Sequence, residues 1–230
     1  MNGTLPPQAM ASLTAEQFRA HAVPRLLATP TDTIFDPRSG RAFGRGDWDL
    51  NPELAGDLAA METPRPAAVL VPIIAREQLT VLLTQRTGTL RSHAGQVAFP
   101  GGRVDDEDGS AVEAALREAE EEIGLDRRFI EPLGYLDGYR TGTGYAITPV
   151  VALVKPGFTL RLAEAEVADV FEVPLAFLME TANHQKHARE WRGRTRSFWA
   201  MPYGERFIWG ATAGMIKNLH ERLTRPMLLP

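Results

Sequence analysis

One segment limits what this chain can fold into more than any other: residues 110–124, SAVEAALREAEEEIG. Ser110 reads as an N-cap, Glu113 three residues later as its capping-box partner, and Gly124 as the left-handed stop. At about 100° per residue, Val112, Leu116, Ala119 and Ile123 share one stripe, and Glu118, Glu121 and Glu122 fall on nearly the opposite side. A helix over 110–123 therefore presents a core face and an acidic face. Like charges three or four places apart cost a few tenths of a kcal/mol per pair. Such crowding is common on solvated helix faces, but here the loop FPGGRVDDEDG precedes it, and its two glycines let backbone approach an ion or a phosphate closely. A hard divalent cation, which prefers oxygen ligands, would turn the repulsion into a binding site.

Around this helix the pattern is mixed. AAVLVPIIAREQLTVLLTQR reads as two strands about the polar residues 75–78. FIEPLGYLDGY and YAITPVVALV read as further strands, and DVFEVPLAFLM as a strand entering a helix near Pro174. RSFWAMPY and RFIWG form a hairpin about Gly204, and ATAGMIKNLHERL is a closing helix. The fold class expected is α/β (α+β), a mixed sheet covered by helices. Residues 1–65 read as a partly helical extension packed on a main domain of 66–230, with TAEQFRAHAVPRLLA as the helical part, broken at Pro24.

Composition excludes several classes. A formal charge of −4 provides no global field for nucleic acid or an anionic membrane, so any anionic ligand is held by local groups. With no cysteine there is no disulfide, thiolate chemistry or Cys-ligated zinc. The longest apolar run, AAVLVPII, falls far short of the roughly 20 residues that span a bilayer. The N-terminus has no basic and then apolar secretory pattern, so the expected location is cytoplasmic. No P-loop or Rossmann glycine pattern is present. His184 and His187 have no further His or Cys partners nearby, which argues against zinc. The basic run 184–196 reads as a solvated loop or hairpin, and Arg45-Gly46-Asp47 as a chance tripeptide.

The sequence GGRVDDEDGSAVEAALREAEEEIGL resembles the Nudix box. Residues 117–125, REAEEEIGL, match the second half of that pattern at every constrained position. The first half departs from it: Asp108 stands where Glu is expected, and eight residues rather than seven separate it from Arg117, as a one-residue loop insertion would produce. Asp108 is the expected partner of Arg117, with Glu107 second. Upstream, LLTQRTGTLRSHAGQVAFPGG resembles the element that marks coenzyme A pyrophosphatases, with Thr87 the single mismatch.

The resemblance implies a Nudix fold and metal-dependent hydrolysis of the diphosphate of coenzyme A, giving 3′,5′-ADP and 4′-phosphopantetheine. It implies Mg²⁺ or Mn²⁺ held by Glu118, Glu121, Glu122 and the Gly102 carbonyl. Catalytic work is expected of Glu121, Glu122, Glu166 and Arg117, with Glu164 as an alternative general base. Substrate contacts are expected of Arg86, Arg91, His93 and Arg103, since guanidinium forks suit phosphate oxygens. The partner is a small molecule, and a homodimer is common among such proteins. The same chemistry on ADP-ribose, dinucleotides or nucleoside triphosphates is the alternative, as is a non-catalytic Nudix-fold binding module. An intact REAEEEIG argues against the last.

Overall fold

The computed structural model describes residues 10, 12–31, 35–36, 41–42, 45–53, 63–88, 94–191 and 193–226. Helix α1 (Ala15–Ala22) is capped by Thr14, whose hydroxyl accepts from the Gln17 amide while the Gln17 side chain accepts from the Thr14 amide. Pro24 lies in the 3₁₀ turn that follows, where a regular helix could not continue. Short strands β1 (Phe35–Asp36) and β2 (Arg41–Ala42) pair with each other. Strand β3 (Arg45–Gly46) joins the main sheet.

That sheet contains β4 (Arg65–Ile74), β5 (Thr80–Arg86), β6 (Val97–Ala98), β7 (Gly101–Arg103), β8 (Ile130–Tyr135), β9 (Tyr139–Arg140), β10 (Tyr145–Val154) and β11 (Val167–Pro174). Its order is β11-β5-β4-β10-β9-β3, with β6 against β5, β7 against β4 and β8 against β10. The central pair, β4 and β10, runs parallel over the full ten residues from Arg65↔Tyr145 to Ile74↔Val154. Parallel strands are covered on both faces, which is why AAVLVPII and PVVALV read as continuous apolar runs. The hairpin of β4 and β5 pairs only Ile73↔Val81 and Ile74↔Thr80, because β7 occupies the first half of β4.

Helix α2 (Ala111–Ile123) covers one face, packing on Ala68, Leu70, Leu82, Val150 and Ala152. The other face, with Val69, Val71, Ile73 and Val151, lies under α1, α3 (Leu175–Met179) and α4 (Ala211–Thr224). Each fully buried Leu or Ile here contributes about 1.5–3 kcal/mol. Phe18 and Ala22 of α1 are fully buried in the same cluster as the α4 side chains Ile216 and Leu219, so the N-terminal helix completes the core on this side.

Strands β12 (Gln185–Trp191), β13 (Arg194–Tyr203) and β14 (Arg206–Trp209) form a second, antiparallel sheet. Gly204, at φ +55°, makes the β13–β14 turn expected there. The basic run 184–196, expected as a loop or hairpin, is a hairpin: β12 pairs antiparallel with β13 from Gln185↔Ala200 to Trp191↔Arg194. Arg45-Gly46-Asp47 has a structural use. Asp47 accepts from the Tyr139 hydroxyl at 2.9 Å and the Gly142 amide at 2.7 Å. Asn51 then bonds both the amide and the carbonyl of Ser197.

Candidate active site

The site lies where β7 passes under α2. Ser110 caps the helix by accepting from the Glu113 amide, and Gly124 ends it at φ +68°. The expected capping box is only half formed, because Glu113 turns to the Gly109 amide at 2.7 Å instead of that of Ser110. Beneath the helix, Gly101 and Gly102 leave room that side chains would fill. A Cβ on Gly101 would meet the Ala68 carbonyl oxygen at 2.4 Å, and one on Gly102 would meet the Glu118 carboxylate at the same distance. Glycine at both positions lets the helix settle on the strand and brings its acids against backbone.

This contact corrects the helical-wheel expectation. Glu122 is not on a solvent face: it is 4% exposed, and its carboxylate accepts from the Gly101 amide at 3.0 Å and faces Arg86 Nη1 at 3.4 Å. Burial raises its pKa to about 7; the Gly101 amide and Arg86 oppose the rise, while Glu118 and Glu166 reinforce it. Glu118 is half-buried and also raised, by burial first, with Arg117 opposing and Glu121 and Glu166 adding to it. Leu116, expected in the core stripe, is only partly buried, whereas Ala115, Ala119 and Ile123 are fully buried.

Arg117 organises the acidic loop. It donates to Asp108 through Nε and Nη2, to Glu118 and Glu121 through Nη1, and to the Arg103 carbonyl through Nη2. Glu107 is exposed, and Asp108 takes the place the box reserves for an acid. Arg103 has an exposed side chain and takes part through its backbone. Glu121 is drawn toward Arg117 at 3.0 Å and remains 60% exposed. Among the described residues no three His, Asp or Glu side chains are already gathered at ion-binding spacing.

Glu166 is exposed on the loop before β11, near enough to Glu118 and Glu122 to raise both pKa values. Thr87 latches that loop, donating its amide to the Glu166 carbonyl at 2.9 Å and its hydroxyl to the Ala165 carbonyl at 3.2 Å. Thr87 is the one mismatch in the upstream element, and nothing in the sequence showed this tie. Arg86, at the end of β5, has a buried Nε without a hydrogen-bond partner among the described residues. Glu164 is exposed on the same loop. Arg91 and His93, expected at the substrate, lie outside the described residues.

The donor set suits a hard cation. It consists of carboxylates alone, two of them raised by burial and by their acidic neighbours, over a strand whose glycines leave backbone open. A model of the NUDIX domain matches residues 64–193. The chain is 48% identical over 155 residues to the Escherichia coli (strain K12) protein described as uncharacterized Nudix hydrolase NudL, covering 67% of this chain and 81% of that one. The Shigella boydii serotype 18 protein of the same description is 47% identical over the same length. Among solved structures, the Nudix domain of Shewanella oneidensis NrtR complexed with ADP ribose is 23% identical, with a TM-score of 0.46, covering 76% of this chain and 99% of that one. A Caenorhabditis elegans Ap4A hydrolase is 20% identical, with a TM-score of 0.42, covering 47% and 80%. With the family's domain model spanning more than half of its residues, and a relative at nearly half identity over two thirds of the chain, the chain belongs to the Nudix family of hydrolases.

Proposed function

We propose that this Nudix hydrolase cleaves the diphosphate bond of coenzyme A or its derivatives, releasing 3′,5′-ADP and 4′-phosphopantetheine. One observation carries the substrate assignment: the run 82–102, which resembles the coenzyme A element, supplies the groups that face the acidic helix. Arg86 from that run meets Glu122, and its Gly101-Gly102 pair forms the floor under Glu122 and Glu118.

In this reading Glu118, Glu121 and Glu122 hold Mg²⁺ or Mn²⁺, with the Gly102 carbonyl as a further oxygen donor. When bound, such an ion neutralises diphosphate charge and lowers the pKa of a water nucleophile. The remaining work falls to the chain. Arg86, whose buried Nε has no hydrogen-bond partner among the described residues, would offer its guanidinium to phosphate oxygens. Arg91, His93 and Arg103 add substrate contacts. Arg117, held by Asp108, keeps Glu118 and Glu121 at the helix edge. Glu166, carried on the loop latched by Thr87, accepts the proton of the attacking water. The reaction forms one phosphorus–oxygen bond to that water and breaks the bridging one.

The test is a chromatographic product assay with coenzyme A and Mg²⁺ in ¹⁸O-labelled water, run beside ADP-ribose, NADH and a nucleoside triphosphate. The reading expects 3′,5′-ADP and 4′-phosphopantetheine, with label on one of the two. Intact coenzyme A, or equal turnover of ADP-ribose, removes the substrate assignment.

A further inference from the structure

The second sheet has two edges of different character. β14 lies beside β6, and Arg206 at its start ion-pairs with Asp169 of β11 and donates to Gln85 of β5. That edge is closed by the main sheet. Strand β12 is the other edge, and among the described residues no strand pairs with its outer side. It runs seven residues without proline, glycine or any shift of register against β13. Lys186, Ala188, Arg189 and Glu190 are all exposed. An open edge of that length is a template for another strand unless something blunts it.

The charges on β12 suit one occupant. Lys186 and Glu190 share a face with Ala188 between them. Neither forms an ion pair among the described residues, and across the ladder they meet Trp199 and Thr195, which carry no charge. Four residues apart on a strand they are about 14 Å from each other, too far to pair within one chain. A two-fold axis at Ala188 changes this. Antiparallel pairing of β12 with a second β12 sets Lys186 opposite Glu190 of the other copy, twice by symmetry, and Ala188 opposite Ala188, where small side chains admit close approach. Lysine on an edge usually repels an incoming strand. In this register it meets its counter-charge.

We infer that β12 is a homodimerisation edge, joining two copies of this chain through a continuous six-stranded antiparallel sheet centred on Ala188. The other face of the strand fits the same arrangement: His187 stacks on Phe198, and Arg189 lies over the Trp209 ring at 4.5 Å, so both are held by their own sheet and leave the edge clear.

The experiment measures mass in solution, by sedimentation and light scattering over a wide concentration range, for the full chain and three variants. Wild type is expected to form a dimer. Lys186→Glu or Glu190→Lys alone opposes like charges at both symmetric positions and raises the dissociation constant about tenfold or more. The double variant K186E/E190K restores the attraction and the wild-type constant. Circular dichroism stays unchanged throughout, and at concentrations where every variant is monomeric so does the melting temperature, since both side chains are exposed. A chain that is monomeric at every concentration overturns the inference, as does a dimer indifferent to the single reversals or not recovered by the double one. Hydrogen exchange on β12 gives an independent reading. Outer-edge amides protected only in the dimer support the pairing; protection in the monomer means that another segment of the same chain covers the edge, and overturns it.

Discussion

Arg117 grips Asp108 with two donors, Nε at 3.0 Å and Nη2 at 2.8 Å. The hydrogen bonds from Arg117, joined by one from the Asp105 amide, hold the Asp108 carboxyl below the usual carboxylate range. The same guanidinium reaches Glu118 and Glu121, so a single pair fixes the acidic loop to the helix.

Asp108→Asn is therefore expected to lower the melting temperature at neutral pH and to reduce turnover several-fold. A group whose folded pKa is depressed contributes stability above its unfolded value, about 3.9, and loses it as pH falls through the folded one. Thermal melts of wild type should drop over that acidic range, and the variant should drop less. Superimposable curves would remove Asp108 from the account.

Glu122 behaves in the opposite sense. Its folded pKa, about 7, is raised above the unfolded 4.5, so the folded chain binds more protons between them. The stability this provides is present below 4.5 and lost as pH rises through 7, a difference on the order of 3 kcal/mol. Glu122→Gln is expected to melt higher than wild type at about pH 8 while turnover falls by orders of magnitude. Added Mg²⁺ or Mn²⁺ should stabilise wild type more at about pH 8 than at about pH 6, because a ligand must first lose its proton. Equal stabilisation at both values, or none, would sink Glu122 as a metal ligand.

The two glycines of β7 separate folding from chemistry. In Gly102→Ala the new Cβ displaces only the far end of Glu118, so stability changes little and turnover falls. In Gly101→Ala it meets the Ala68 carbonyl oxygen and the Val69 Cα, at a φ of +151°, and backbone cannot yield cheaply. That variant is expected to unfold first. Wild-type rates in Gly102→Ala would show that the Glu118 carboxylate needs no fixed position.

Core truncations on α2 should rank by burial. Ile123→Ala, at a fully buried position, is expected to cost about 2–5 kcal/mol in denaturant titration. Leu116→Ala, only partly buried, should cost clearly less. A reversed order would refute the packing described.

Phe18→Ala tests the N-terminal helix. Its ring is fully buried among Nudix-domain side chains, so the substitution is expected to cost about 3–5 kcal/mol. A loss of a few tenths, read from the same titration, would make α1 a dispensable appendage.

Local information along the chain was enough to specify some of the elements. Ser110 and Gly124 bound α2 because capping chemistry acts within one turn. The apolar runs of β4 and β10 read as strands, and REAEEEIG with the preceding glycines placed the acids. The run 184–196 was legible only as a loop or hairpin, and pairing with β13 decided for the hairpin, because an isolated strand gains nothing without a neighbour.

Contacts between segments distant along the chain emerged with the packed fold alone. A helical wheel knows the angle between side chains and not what covers them. It set Glu122 opposite the core, whereas the glycines of β7 beneath it let the carboxylate be buried and its pKa raised. The tie of Thr87 to the Glu166 loop spans 78 or more residues and leaves no periodic trace. The place of Phe18 in the core depends on the far sheet face remaining open beside α4, and no stretch of neighbouring residues encodes that. Spacing along the chain fixes which groups can face one way; burial and field, which set their chemistry, belong to everything packed around them.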